Sequence, residues 1–283
     1  MNRATGLLVI EVINSNPNGN PDQESDPRQR PDERGMISPV SFKRKLRDLV
    51  ENKEGPVWNE IAKPFNPTLD PKQFQILESR EREWNEVKKL ESKEFTARYW
   101  DARLFGSTFL EKKTDEAGSF IRTGVAQFGM GVSISPIRIE RQTNSKKAGA
   151  QEGKDRGLAP LAYRIVQHGV YTMPYFVNAA VANKSGCTDN DVELMKLLIP
   201  HAYTQTASAI RPQVIIRHAW YMEHNSALGS CPDFLLLEAL RPSRKDIAKA
   251  EEPSVSWSDY DPKDDLPKEL HARLKSFTDL VRA

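Results

Sequence analysis

Hydrophobic positions recur along the chain with two different periods, and these mark out strands and helices. Leu7-Leu-Val-Ile-Glu-Val-Ile13 is aliphatic and β-branched and lies between Gly6 and an Asn/Pro/Gly cluster, which predicts a buried first strand. Asn14-Ser-Asn-Pro-Asn-Gly-Asn-Pro-Asp22 has turn composition and predicts a polar loop running to about Arg34. A helix follows. Ser38 is placed to cap it, Pro39 suits its first position, and Phe42, Leu46 and Leu49 fall on one face at i, i+4 and i+7. Lys43, Arg44 and Arg47 are expected beside that packed stripe rather than under it.

Residues 52–98 read as an insertion. Pro56, Pro64, Pro67 and Pro71 interrupt regular structure, and Lys72 to Glu94 predicts a charged helix with Phe74, Ile76, Leu77 and Trp84 as apolar points. Tyr99 to Phe109 predicts a short helix closed by Gly106, with Trp100 facing the core. Val125 to Ser135 predicts a second strand, with Gly129 and Gly131 marking a bulge or a close backbone approach, and Ile137 to Ile139 extending it. Residues 141–160 are polar and suit a projecting hairpin tip; between Arg138 and Arg156 six basic residues face three acidic ones. Tyr163 to Ala182 returns to strand composition. Thr188 or Asp189 caps a helix through Leu198, Val214 to Tyr221 is strand-like, Phe234 to Leu237 is a short apolar run, and a helix is expected near Lys268 to Val281.

The order strand, helix, strand, strand, helix, strand predicts an α+β chain of ferredoxin-like, split βαβ arrangement rather than a doubly wound sheet. A length of 283 residues suffices for one large domain with insertions, and no internal repeat is present. Net charge is only +2, but it is unevenly placed. Arg28 to Arg47 carries seven basic and two acidic residues, whereas Glu251 to Ala283 carries eight acidic and five basic. A localised polyanion groove fits that distribution better than a generally sticky surface.

Two cysteines, Cys187 and Cys231, without CxxC spacing or a secretory signal, point to a reducing cytoplasm and away from a disulfide scaffold. No apolar run is long enough to span a membrane. Asn16-Pro-Asn-Gly-Asn lacks the glycine spacing and Gly-Lys-Ser/Thr ending of a phosphate loop. His218 and His224 have no third ligand in spacing, and His168, His201 and His271 are scattered, so hydrogen-bonded or surface histidines are expected rather than zinc, and no cofactor. Asp22, Asp26 and Asp32 form the one acidic cluster worth weighing for catalysis, since a carboxylate can activate a 2′-hydroxyl during RNA cleavage. Loop carboxylates more often cap turns, so binding stays ahead of catalysis. Lys43 and Arg47 repel one another one turn apart, and a docked anion would reverse that penalty. Taken alone, the basic sector reads as a solvated face.

The motifs Leu7–Ile13 with Asn14–Asp22, Gly35–Arg47, Trp100-Asp-Ala-Arg-Leu-Phe-Gly106 and Gly124-Val-Ala-Gln127 stand in one order over the first half of the chain. That ordered set resembles the backbone subunit of type I CRISPR Cascade effectors, the Cas-seven family, most like its I-C/I-B branch. The resemblance implies a modified ferredoxin-like or RRM-like palm (about 1–50, 99–137 and 163–240), a finger-like insertion (about 52–98), a thumb-like loop (about 138–162) and a tail (241–283). It implies a non-catalytic, cytoplasmic subunit that binds crRNA and holds target DNA by pairing to that guide. Further copies would join head-to-tail, beside other Cascade subunits and with no membrane partner. The guide contacts expected on this basis are Asn18, Arg28, Arg34, Lys43, Arg44, Arg47, Arg103, Phe105, Gly106, Gln127, Arg138 and Arg141. A guide-binding filament must accept any sequence, so it should grip phosphates and leave base edges free. The alternative is a type III-like ribonuclease cutting target RNA through an early-loop aspartate. A third is a plain protein-interaction module.

Overall fold

The first apolar run forms the strand on which the main sheet is assembled. The computed structural model describes residues 1–79, 85, 87, 89–109, 120–147 and 158–283. It opens with β1 (Ala4–Ser15), a small ladder of β2 (Gly19–Asn20) and β3 (Asp26–Pro27), then β4 (Arg34–Ile37) and α1 (Pro39–Glu51). Helices α2 (Pro56–Ala62), α3 (Ser92–Arg98) and α4 (Trp100–Phe105) lead into the hairpin of β5 (Gly106–Phe109) and β6 (Phe120–Thr123). Next come β7 (Ala126–Phe128), β8 (Gly131–Pro136), β9 (Ile139–Lys147), β10 (Leu158–Val177), α5 (Asp189–Leu198) and β11 (Gln213–His224). The C-terminal part holds α6 (Asp233–Leu240), β12 (Ser243–Arg244), β13 (Tyr260–Asp261), α7 (Lys268–His271) and β14 (Leu274–Asp279).

The main sheet runs β14-β11-β1-β10-β8-β4, antiparallel at every pairing. Alternation along β1 divides its side chains between two faces. Leu8, Ile10 and Val12 pack with Phe42, Leu46 and Leu49 of α1 and with Val192, Met195 and Leu198 of α5, so both helices lie on one face. Each of those fully buried aliphatic side chains contributes about 1.5–3 kcal/mol relative to exposure. The opposite face is covered too. Leu7 packs with Trp220, Leu236, Leu240 and Leu266, and Val9 with Val170 and Tyr260, so α6 and the strap of residues 241–266 close over it. Strand β10 is longer than its neighbours: its second half lies in the sheet, while its first half pairs with β9 as a hairpin.

A buried polar cluster fastens the strap. Glu11 accepts hydrogen bonds from His168 Nε2 (3.1 Å) and Arg217 Nε (2.7 Å), and His168 Nδ1 lies 2.7 Å from Ser254 Oγ. Burial by itself would push the Glu11 carboxyl up, but the bonds from His168 and Arg217 outweigh it and hold the carboxyl below its ordinary value. A carboxyl depressed in the folded state adds stability that is present above its unfolded pKa and lost as pH falls through the folded one. The advantage of the native chain over Glu11→Gln in urea unfolding should therefore be largest near neutrality and shrink below about pH 4.5. A gap that stayed constant down to about pH 3 would contradict this.

Several sequence expectations hold. Ser38 caps α1, with its Oγ accepting from the Ser41 N–H at 3.2 Å, and Thr188 caps α5 in a capping box with Asp191. Trp100 is fully buried. Others are corrected. Within the expected loop of residues 14–34 the chain forms β2, β3 and the start of β4. The run Val125–Ser135 is two strands, parted where the Gly129 N–H turns to Pro174 O (2.8 Å). The helix expected from Lys72 is absent over residues 72–79, because side chains from α4 take up that backbone: Asp101 accepts from Leu77 N (2.6 Å) and Arg103 donates to Gln73 O (3.0 Å). Trp84 lies outside the described residues, as do 148–157 of the expected projecting tip. Phe234–Leu237 belongs to helix α6, and the expected terminal helix is the short α7 followed by β14. There the edge of β11 offers unpaired backbone, Phe277 stacks on Trp220 (5.0 Å), and Asp279 accepts from Ala219 N (2.9 Å). Among the described residues, no helix is long and apolar enough to cross a membrane.

Candidate nucleic-acid interface

The loop after β1 is tied to the start of α1. Asn18 Oδ1 accepts from the Ser38 N–H at 2.7 Å, which satisfies a helix-end donor and fixes the loop against the cap. Arg28 joins the same corner: its N–H donates to Asn18 O (2.9 Å) and its carbonyl accepts from Met36 N (2.8 Å). Arg28 is half-buried, and its Nε has no hydrogen-bond partner among the described residues. Asn16 anchors the loop from the other side. It donates through Nδ2 to Ser25 O (2.8 Å), while its Oδ1 is buried without a partner among the described residues. Its main chain meets residues 210–211, with Asn16 N donating to Ile210 O (2.8 Å) and Arg211 Nε to Asn16 O (2.9 Å).

One turn further along α1, Lys43 sits with its Nζ 5.3 Å from the centre of the Phe105 ring. Burial lowers its pKa, Arg47 adds to that, and Glu78 opposes it; a phosphate docked nearby would push it back up. Phe105 lies against Trp100 and Phe128, and Phe128 against Phe42, so an aromatic row supports this part of the helix. The chain leaves α4 through Gly106 at φ 87°. Gly124 comes so close that a Cβ there would stand 2.1 Å from Phe105 C and 2.2 Å from Gly106 N. Both are backbone atoms and cannot swing aside. Gly124→Ala should cost about 1–3 kcal/mol as overpacking, read as a lower urea midpoint; an unchanged midpoint would refute the close approach. Gln127 is exposed and donates to Gly124 O (2.8 Å). Lys43, Phe105, Gly106 and Gln127 are thus brought together, with Asn18 and Arg28 at the start of the same helix.

The remaining expected contacts lie elsewhere or are already engaged. Arg47 is buried, not beside the stripe; its Nε meets Asp101 (2.9 Å) and its Nη1 meets Glu78 (3.1 Å). Arg44 lies near Asp48 (3.5 Å) and Glu51 (3.8 Å). Arg103 is buried in a two-point contact with Asp191 (3.0 and 2.7 Å) and also donates to Thr96 O and Ala97 O. Arg34 projects to the other face of the sheet, where it pairs with Glu251 (2.8 Å). Arg138 is exposed at the start of the β9 hairpin.

The family described as CRISPR-associated protein Cas7 matches residues 2–263. The chain belongs to the Cas7 family. It is 26% identical over 274 residues to a CRISPR-associated protein Cas7 of Haloferax volcanii, covering 87% of this chain and 80% of that one. Among solved structures, a chain of a "CRISPR RNA-guided surveillance complex, pre-nicking" aligns at TM-score 0.47 and 14% identity, over 91% of this chain and 83% of that one. A chain of a second "CRISPR RNA-guided surveillance complex" aligns at TM-score 0.38 and 14% identity, over 76% and 68%.

In this Cas7 chain two of the early aspartates, Asp26 and Asp32, have structural work. Asp26 is buried and clamped by Arg141 and Arg164; the hydrogen bond from Arg141 holds its carboxyl below the usual range against the opposing effect of burial. Arg141 is thereby engaged at the base of the β9–β10 hairpin. Asp32 accepts from the Arg34 backbone N–H (3.3 Å), and Asp22 is exposed. Asn16 and Arg211 were missed in the sequence. An Asn/Pro/Gly loop hides which asparagine is buried, and Arg211 is 195 positions away from the residue it holds.

Proposed function

We propose that this chain is the crRNA-binding backbone subunit of a type I CRISPR interference complex, non-catalytic and polymerising head-to-tail along the guide. The observation that carries the reading is the convergence, in a Cas7 family chain, of Asn18, Arg28, Lys43, Gly106 and Gln127 around the first half of α1, with Arg211 tied to the adjoining loop at Asn16. Cationic and amide donors beside a half-buried glycine backbone suit phosphates and 2′-hydroxyls and read no base edges. Target DNA would then be held by pairing to the guide, with other Cascade subunits at the ends of the filament. The order β11-β1-β10-β8, with α1 and α5 as crossovers on one face, supports a ferredoxin-like palm. Residues 52–98 would be the finger, and the β9–β10 hairpin the thumb that reaches the next copy. The RRM-type sheet face is occupied by the strap, which supports guide binding at the loops and α1 instead.

Purified from cells with its array, the assembly should carry nuclease-protected RNA whose sequence matches the spacers; protein free of such RNA would sink the reading. The ribonuclease alternative finds Asp26 spent on two arginines. Complementary RNA should emerge intact from incubation with the assembly, and regularly spaced cuts would favour the ribonuclease instead.

A further inference from the structure

We propose that a pocket beneath the C-terminal strap, lined by Arg34, Arg241, Arg244 and Ile247, docks an acidic peptide segment with apolar neighbours from a partner protein. The pocket has a volume of about 380 Å³ and lies where the β4–β8 edge meets the strap, on the sheet face opposite α1.

Three arginines from separate positions line it, and none of them is part of the interface at α1. Arg34 Nη2 already holds a carboxylate, that of Glu251, at 2.8 and 3.0 Å. The Glu251 side chain is 74% exposed and sits on the strap, so an incoming carboxylate can replace it at little cost. Arg244 is the informative member. Its side chain is only 7% exposed, and its Nε is buried with no hydrogen-bond partner among the described residues. The Asp259 oxygen that reaches it, at 3.3 Å, also accepts from Val255 N (2.7 Å) and Ser256 N (3.2 Å). A desolvated guanidinium with so divided a counter-charge is costly, and a second carboxylate nearby lowers that cost. Arg241 stands exposed at the rim.

The walls decide between classes of ligand. Ile134, Pro242, Ile247 and Ala250 line the pocket, Ile247 being 84% exposed, an apolar share that suits a leucine-like side chain next to the acid. Nucleic-acid grooves are more polar and more uniformly basic. Here Glu238 and Glu251 stand among the arginines, which disfavours a run of phosphodiesters but tolerates one carboxylate seated in place of Glu251. The sheet separates this pocket from α1, so peptide and guide would be held together without competition.

The test uses the full-length chain and a fluorescein-labelled acetyl-Glu-Leu-Asp-Glu-Leu amide, read by anisotropy. Saturable binding is expected, absent for the peptide with Gln and Asn in place of its acids. Glu251→Gln, which removes the internal competitor, should tighten it about threefold to tenfold, and Arg241→Glu should weaken it about tenfold with an unchanged melting temperature. Should Arg241→Glu fail to fold, Glu251→Gln decides alone. Lys43→Ala should leave the peptide affinity untouched, which separates this proposal from guide binding at α1. No saturable binding, or no response to Glu251→Gln, overturns it. So does displacement of the peptide by oligothymidylate, which would assign the pocket to nucleic acid.

Discussion

Replacing Asp191 with alanine is expected to lower the unfolding free energy by about 3–5 kcal/mol. Asp191 is fully buried and holds Arg103 through both carboxylate oxygens, while also capping α5 by accepting from Thr188 N (2.8 Å). Its removal leaves a guanidinium stranded in the interior and frees the helix start. Arg103 in turn gathers the carbonyls of Gln73, Thr96 and Ala97, so the loss should spread into residues 73–98. Urea unfolding measures the first effect, and hydrogen exchange over that segment the second. Replacing both partners with leucine should recover only part of the loss: the stranded charge disappears with its mate, but the carbonyls held by Arg103 and the Thr188 N–H stay without their partners. A deficit for Asp191→Ala below about 1 kcal/mol would mean that solvent reaches Arg103 after all.

The second large effect concerns guide binding. Arg28→Ala combined with Lys43→Ala should weaken crRNA binding by at least about tenfold, since a hydrogen bond to a charged group contributes about 1.5–3 kcal/mol. The slope of log affinity against log salt should fall by about 1.4, because two phosphates of a single strand would no longer be neutralised. Pairing Lys43→Ala with Arg44→Ala should do less, because Arg44 is partly neutralised by Asp48 and Glu51. Arg47→Ala should show itself first in the melting temperature, because it empties the ion pair with Asp101. A titration in which the Arg28/Lys43 double variant keeps its affinity and salt slope would remove both residues from the interface.

How much was legible can be judged on α1. Its cap, its start at Pro39 and its packed stripe followed from local rules, and all three stand in the structure. The fate of its cations did not. Helical projection places Arg47 about 100° per residue around the axis, but whether that sector meets water depends on what is packed there. Asp101 is 54 positions away and is delivered by a separate helix. Arg103 misled for the same reason: a basic residue beside Phe105 and Gly106 looks like a phosphate ligand until Asp191, 88 positions on, is seen beneath it. Residues 72–79 failed as a helix because Asp101 and Arg103 satisfy that backbone from outside, a possibility no local propensity contains. The terminal strand failed likewise, since an edge on β11 was available to pair with it.

By itself the sequence determined the core order of strand, helix, strand, strand, helix and strand, the two core-facing helices, and the local excess of positive charge between Arg28 and Arg47. Those depend on periodicity, capping and composition, which act over a few residues. Only the tertiary structure decided which of those charges are neutralised inside, which remain at the first half of α1, and which cross the sheet to the strap. Ion pairs form between groups far apart in sequence, and Coulomb attraction in a partly desolvated interior depends on distances that only the packed chain sets.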